Sequence, residues 1–504
     1  MIACPIGDGV SLIGQDRRME RASPPNVVLI NCDDLGYGDL GCYGSPLNKT
    51  PALDRLAAEG LRFDSFYMGS PVCSPSRGAL LTGCYPPRIG FGQFDGLPVL
   101  FPGQRVGLPP SEISLGRLLS SAGYHTQMIG KWHCGDQPQF LPTNHGFDHY
   151  FGLPYSNDMG RQVAGALPFD PGYPPLPLLL DDDVIEQQPD QAGLTARYVT
   201  EAVRFLRASA DAPFFLYLAH MYVHLPIYVP ERFAQQSANG PYGAAVEAID
   251  WATAVIVHEL DRLGLADDTI VIFTSDNGSL GQDGGSNLPL RGAKGTTWEG
   301  GLRVPCIVRW PGRIAPGRVS GEVATAMDLF PTLAALCGAE LPDDRTIDGR
   351  DITDLWLDPV ATTPHEAFFY YWQNDLEAVR SGRWKLRLWD RRPITADDYA
   401  EAFERRRPLD PTDFRTPVRE LYDLDTDPGE TTDVYAGVLA DQPDVIAALD
   451  AHAEWARESL GDASTGRVGN DIRPIGRVEQ ATTLTTFDPT HPYYTAEYDL
   501  PHRG

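Results

Sequence analysis

Apolar residues run along this chain in short blocks that stop at polar clusters. Residues 26–32 (Asn26-Val27-Val28-Leu29-Ile30-Asn31-Cys32) are almost all apolar, the pattern of a strand buried on both faces of a parallel sheet. Residues 213–219 and 269–274 repeat it, and 63–67, 125–129 and 307–311 read as further strands. Between them, helical spacing appears over 51–60, 115–122, 195–208, 246–263 and 327–337. Strands alternating with helices predict an α/β fold, a large mostly parallel mixed sheet sandwiched by helices. Proline, aspartate and threonine accumulate over 340–364, where the pattern changes. Residues 368–372, 377–380, 384–388 and 420–423 then read as short strands and 444–459 as a helix, predicting a smaller C-terminal α+β domain on an antiparallel sheet. The expected division is a disordered leader at 1–25, a first domain at 26–363, a second at 364–480 and an extended tail at 481–504 with Tyr493, Tyr494 and Tyr498. Residues 165–177 form a proline-rich surface loop, and 390–417 a charged insertion.

With 504 residues, 42% hydrophobic and 22% charged, the chain reads as a soluble globular protein larger than one ordinary domain. No apolar run approaches a membrane span, so no membrane partner is expected. Asp8, Asp16, Arg17, Arg18 and Glu20 interrupt any apolar core of a signal peptide, which makes a cytoplasmic location the expectation, with export left open. A net charge of −27 argues against nucleic acid as a partner and opposes an anionic substrate at long range. Salt screens that field beyond about 10 Å, so a local cationic pocket still wins. Eight scattered cysteines without a Cys-X-X-Cys pair argue against a disulfide framework or a thiolate zinc site. None of this bears on oligomeric state.

The polar clusters that end the strands carry the candidate chemistry, because ligands of open α/β sheets bind at the carboxyl edge. Asp33-Asp34 and Asp276-Asn277 both follow buried runs. Gly36, Gly38 and Gly41 match a dinucleotide fingerprint, but two carboxylates stand where a pyrophosphate needs bare amides. Oxygen ligands of this kind suit calcium or magnesium; the plainer alternative is a pair of solvated turns. Arg77, Lys131, His133, His224 and Lys294 offer donors to an anion. Cys73 lies in Pro71-Val72-Cys73-Ser74-Pro75-Ser76-Arg77-Gly78, before a helix expected to start near Ser76. Its helix end would favour a thiolate, whose chemistry needs a depressed pKa. A phosphatase-type arginine six positions on fails, since Ala79 stands there; a buried structural cysteine is the plain alternative.

Cys73-Ser74-Pro75-Ser76-Arg77 resembles the Cys-X-Pro-X-Arg signature of the sulfatase family. The resemblance extends in order through Asp33–Asp39, Gly130-Lys131-Trp132-His133, Pro154-Tyr155-Ser156-Asn157-Asp158, His224-Leu225-Pro226, Ser275-Asp276-Asn277-Gly278 and Gly292-Ala293-Lys294-Gly295-Thr296. Leu421-Tyr422-Asp423-Leu424 and Asp427-Pro428-Gly429-Glu430 resemble the C-terminal signature of the same family. The chain is thereby identified as arylsulfatase-like, in the alkaline-phosphatase superfamily. The resemblance implies that a formylglycine-generating enzyme oxidises Cys73 and that the hydrate of the formylglycine is the nucleophile. It implies that Asp33, Asp34, Asp276 and Asn277 hold a cation, with modified Cys73 as a further ligand: calcium, with magnesium or manganese as alternatives. Asp276 would accept the first hydroxyl's proton as sulfur is attacked. Lys294 and His224 would bind sulfate and protonate the leaving oxygen, and His133 would deprotonate the second hydroxyl to expel sulfate and restore the aldehyde. Arg77 and Lys131 would hold the hydrate and the metal loop, and Ser156 would touch the same network.

The implied substrate is a small-molecule or glycan sulfate ester. A phosphonate monoester or phosphodiester hydrolase of the same superfamily is the nearest rival. Such relatives tend to carry histidine where this chain has Asn277. A non-catalytic protein binding sulfated ligands would show decay of the nucleophile motif or the metal set, and both are intact. His220, Trp132, Trp298 and Cys134 read as packing, and Cys42 and Cys84 receive no role. Specificity is expected in the loops at 90–110 and 155–190, the insertion and the tail. Phe91, Phe94, Tyr173 and Tyr222 are candidates for an aromatic or sugar pocket, with packing as the equal alternative.

Overall fold

A computed structural model describes residues 24–161, 172–392, 414–491 and 493. The leader up to residue 23, residues 162–171 with the first part of the proline-rich loop (165–171), residues 393–413 of the charged insertion, and Tyr494 and Tyr498 lie outside the described residues. In chain order the strands are β1 (Asn26–Cys32), β2 (Leu61–Tyr67), β3 (Val106–Gly107), β4 (His125–Lys131), β5 (His149–Leu153), β6 (Pro177–Leu180), β7 (Asp183–Gln187), β8 (Phe214–Ala219), β9 (Thr269–Ser275), β10 (Arg303–Arg309), β11 (Arg318–Ser320), β12 (Ala324–Thr325), β13 (Phe368–Trp372), β14 (Asp375–Ser381), β15 (Trp384–Arg391), β16 (Arg415–Asp423) and β17 (Gly476–Arg477).

The main sheet runs β11-β2-β10-β9-β1-β8-β4-β5-β6-β7, with β12 also on β2. Its middle, β9-β1-β8-β4-β5, is wholly parallel; β10 runs antiparallel to β9 and β2, and β6 to β5 and β7. Alternate residues of a strand face opposite sides. Thus Val27 and Leu29 enter a core with the helices Cys73–Thr82, Leu115–Ser121 and Leu329–Cys337. Val28 and Ile30 enter a second core with Pro51–Ala58, Leu194–Ala208 and Gly240–Leu263. Both faces of β1 are buried, which is why its sequence is almost all apolar.

Parallel strands bring their carboxyl ends to one edge, so Cys32, Lys131, Ala219 and Ser275 end side by side. Gly130 is needed there: at φ +105 a Cβ would lie 1.7 Å from the Ala219 carbonyl oxygen, so no other residue lets β4 pass β8 just before Lys131.

The second sheet is antiparallel, β13-β14-β15-β16, and packs Val379, Leu386 and Leu421 against Ile446, Leu449 and Ala453 of the helix Pro443–Ser459. Several elements differ from the sequence reading. Residues 390–391 and 415–417 of the expected insertion belong to β15 and β16. The helix expected from residue 246 starts at Gly240, because Pro241 suits its first turn and the small Gly243, Ala244 and Ala245 are buried without a strong apolar period. The strand expected from residue 307 starts at Arg303, and β5, β6 and β7 were not foreseen. β17 returns to pair with β3, and Thr482 N donates to Gln137 Oε1 at 3.0 Å, so the start of the expected tail is fastened to the first sheet.

Candidate active site

Asp33 and Asp34 leave β1 into a turn fixed by its neighbours. Asp33 N donates to the Tyr222 carbonyl (3.1 Å), Asp34 N to Asp276 Oδ1 (3.2 Å) and Leu35 N to Ser275 Oγ (2.9 Å). Asp34 sits at φ 61, a left-handed conformation that costs a residue with a side chain energy. Asp276 follows β9 with its N bonded to the Cys32 carbonyl (3.0 Å). Asn277 Nδ2 donates to Asp34 Oδ1 (2.7 Å), and Asn277 Oδ1 is buried with no donor to it.

Cys73 is the first residue of its helix, Cys73–Thr82; the expected start at Ser76 was three residues late. Its Sγ lies 3.4 Å from Asp33 Oδ1 and 4.0 Å from Asp34 Oδ1. One ligand atom each from Asp33, Asp34, Cys73 and Asp276 lie within 4.8 Å of one another, all buried. Burial pushes the thiol well above its ordinary pKa, more than Lys131 and Lys294 lower it. This corrects the thiolate expectation: the helix end does not outweigh desolvation, and Cys73 is a neutral thiol.

Cations surround the carboxylates. Arg77 Nε donates to Asp276 Oδ2 (2.8 Å) and its NH1 to the Lys131 carbonyl (2.8 Å). Lys131 Nζ is 2.5 Å from Asp33 Oδ2 and 3.3 Å from Ser156 Oγ. Lys294 Nζ is 2.8 Å from Asp34, and His224 Nε2 3.8 Å from the same carboxylate. Burial opposes charge on Asp33, yet Lys131, His224, Arg77 and Lys294 outweigh it and hold its carboxyl well below the usual range. Asp276 moves the other way, raised by burial and by the nearby Asp33. Lys131 and Lys294 are desolvated too, but Asp33 and Asp34 respectively hold them above the ordinary lysine value. Three carboxylates thus meet three permanent cations, and an added divalent ion leaves the site positive inside an acidic protein.

His133 follows β4 by two residues at φ 59. Its Nε2 is 2.9 Å from the Leu100 carbonyl, which only accepts, so Nε2 carries the hydrogen and Nδ1 the lone pair. Nδ1 is buried and without a partner. Burial and Lys131 push the imidazole well below its ordinary pKa, so it is neutral and able to take a proton.

Every residue named from the sequence as a catalytic or metal-binding candidate lies on or beside this carboxyl edge. Four groups that hold the site went unassigned. Ser76 Oγ donates to the Asp276 carbonyl, and Ser275 Oγ to the Asn277 carbonyl at 2.9 Å. Asp39 accepts from Gly36 N (2.7 Å), Ser286 N (2.9 Å) and the Tyr242 hydroxyl (2.5 Å), joining the loop after β1 to the loop after β9. Asp39 and Ser76 lay inside the motifs and had a signal; the Leu100 carbonyl, a backbone atom, had none. Phe91 and Phe94 do not line a pocket: they are an edge-to-face pair, centroids 4.7 Å apart, inside the core. Tyr222 is buried with its hydroxyl on the Gln191 carbonyl (3.1 Å), and Tyr173 stacks on Phe101. His220, Trp132, Trp298 and Cys134 are buried, as packing residues are.

Comparison with known proteins points the same way. The family profile described as Sulfatase matches residues 25–339, and that of the C-terminal region of aryl-sulfatase matches residues 363–475. The chain is 43% identical to arylsulfatase A of Homo sapiens over 452 residues, covering 85% of this chain and 87% of the relative. It is 38% identical to steryl-sulfatase of Mus musculus over 522 residues, 87% of this chain and 83% of the relative. The solved PsFucS1 sulfatase from Pseudoalteromonas sp. superposes with a TM-score of 0.75 at 29% identity, over 86% of this chain and 91% of that one.

Proposed function

The chain belongs to the sulfatase family and is a sulfuric ester hydrolase, and on that premise we propose that it cleaves sulfate esters of small molecules or glycans at the Asp33–Asp34–Cys73–Asp276 cluster, using a divalent cation and a formylglycine made from Cys73. The observation that carries this reading is the convergence of four ligand-type side chains, one the candidate nucleophile, within 4.8 Å. The donor set fits a hard cation: three carboxylates and the unpartnered buried oxygen of Asn277. Calcium suits these ligands best, with magnesium and manganese as alternatives. When bound, such an ion polarises the sulfate oxygens as a Lewis acid.

The chain's own groups account for the rest. In hydrated formylglycine, residue 73 offers one hydroxyl as nucleophile and a second that gives an exit. Asp276, whose carboxyl is raised but paired with Arg77, accepts the proton of the attacking hydroxyl. Lys294 and His224, both on the Asp34 side, bind the sulfate and protonate the departing oxygen. Lys131 and Arg77 keep the carboxylates and residue 73 in place. Nδ1 of His133 takes the proton of the second hydroxyl as sulfate leaves. Cys73 is 1% exposed, so the proposed maturation enzyme must reach the Cys-X-Pro-X-Arg segment before the chain folds around it.

The competing chemistry is phosphonate hydrolysis, and the experiment is a comparison of kcat/KM on an aryl sulfate and an aryl phosphonate monoester. Faster sulfate turnover supports the reading; faster phosphonate turnover overturns it.

A further inference from the structure

Lys294 lies on residues 276–298, a stretch without helix or strand between β9 and the short helix Glu299–Leu302, yet its ammonium must meet Asp34 at 2.8 Å. Lys294 N donates to the Ser279 carbonyl within the loop, and Gly295 N to the carbonyl of Pro71, just before the Cys73 helix, both at 2.9 Å. The C-terminal domain also holds the loop. Lys385 Nζ, from β15, donates to the Thr297 carbonyl (2.9 Å) and pairs with Glu299 Oε1 (3.1 Å) and Glu430 Oε1 (2.8 Å). Glu430 Oε2 accepts from Glu299 N (2.7 Å), and the Glu430 carbonyl accepts from Arg291 NH1 (2.9 Å). Thr297 Oγ1 donates to Glu377 Oε2 (2.7 Å).

The contacts fall on both flanks of Lys294, at Arg291 three residues before and Thr297 three residues after. Lys385, Glu299, Glu430 and Glu377 have no exposed surface. Buried charges of this kind are costly to desolvate and add little net stability compared with apolar packing, so adhesion between the sheets does not explain them. Directional bonds to a loop backbone do. Glu430 also holds φ 51, a strained conformation in which its carbonyl and its carboxylate both reach the loop.

We infer that Lys385 of β15 and Glu430 of the loop that follows β16 are positioning residues that fix the Lys294 loop, and through it the ammonium that assists leaving-group departure. The inference rests on the role given to Lys294 above. It assigns a positioning role to Glu430 of the Asp427-Pro428-Gly429-Glu430 segment, which otherwise lies outside the site.

The test is a double-mutant cycle on the matured, metal-loaded enzyme, pairing Glu430→Gln with Lys294→Ala, with kcat and KM read on a nitrophenyl sulfate and on an alkyl sulfate. Misplacing a catalytic group by about 1 Å costs up to about 100-fold. Glu430→Gln is expected to lower kcat about 10- to 100-fold, more for the alkyl ester, whose leaving oxygen needs its proton. In the Lys294→Ala background it should cost nothing further. An equal loss with and without Lys294 overturns the inference and leaves Glu430 a structural residue. If Lys294→Ala alone leaves both rates intact, the underlying role of Lys294 is what fails. Should Glu430→Gln not fold, Arg291→Met, which removes an exposed side chain, goes through the same cycle and decides by the same criterion.

Discussion

Lys131 Nζ lies 2.5 Å from Asp33 Oδ2, and neither side chain has exposed surface. The pair is the pivot of the site, since Arg77 reaches Asp33 only at 3.7 Å. Removing one partner of a buried pair strands the other charge, at about 3–5 kcal/mol. Lys131→Met should therefore destabilise the protein by that amount in urea unfolding, and adding Asp33→Asn should restore part of it. A loss below about 1 kcal/mol would show that water or another cation already neutralises Asp33.

In the proposed mechanism His133 acts late in the reaction. With Nδ1 gone, the alcohol can still depart while sulfate release stalls. His133→Asn is expected to show a stopped-flow burst of alcohol near one per active site, then turnover slowed about 10²–10⁴-fold. Equal slowing of both phases, with no burst, would assign His133 to the first step instead.

Chelation should abolish activity and lower the unfolding midpoint. A ligand at about 100 times its Kd stabilises by about 2.7 kcal/mol, so calcium should restore both signals and Asn277→Ala should blunt the recovery. Because Asp276 is raised by burial and by Asp33, the metal must displace its proton, and affinity should rise with pH above the usual carboxylate range. Full activity in excess chelator would remove the cation from the account.

Acid stability follows from a different group. His145 is buried against Trp132, and burial with Arg117 lowers its pKa to about 3. The unfolded side chain binds a proton near 6.5. Between those values the unfolded state holds more protons, so stability rises with pH and is lost as pH falls below about 6.5. From pH 7 to 5 the loss due to His145 is about 2 kcal/mol. Urea midpoints of His145→Phe should decline less over that range; parallel profiles for the two proteins would contradict the assignment.

The strands around the site were legible because β1, β8 and β9 are buried on both faces and are therefore largely apolar. Their polar ends were legible because a carboxylate such as Asp33 or Asp276 has no place in a core unless it is neutralised. β7 escaped because it is an edge strand in which Asp183, Glu186 and Gln187 are tolerated among few apolar positions, and β6 because its three leucines directly follow the proline-rich stretch read as a loop. The Cys73 environment was misjudged for a physical reason: sequence shows nearby cations but not the depth of burial that opposes them. The hydrogen bond that fixes His133 is donated to a backbone carbonyl, which no residue type announces. The link from Glu430 to Lys294 joins segments more than a hundred residues apart, a proximity that exists only after the two sheets pack.

The central claim is that residue 73 works as a formylglycine, and the mass of the peptide containing Cys73, from protein purified from its own host, tests it most directly. The expected result is that the thiol has been replaced by an aldehyde in the active fraction. A fully unmodified Cys73 in folded, metal-loaded and active protein would contradict it.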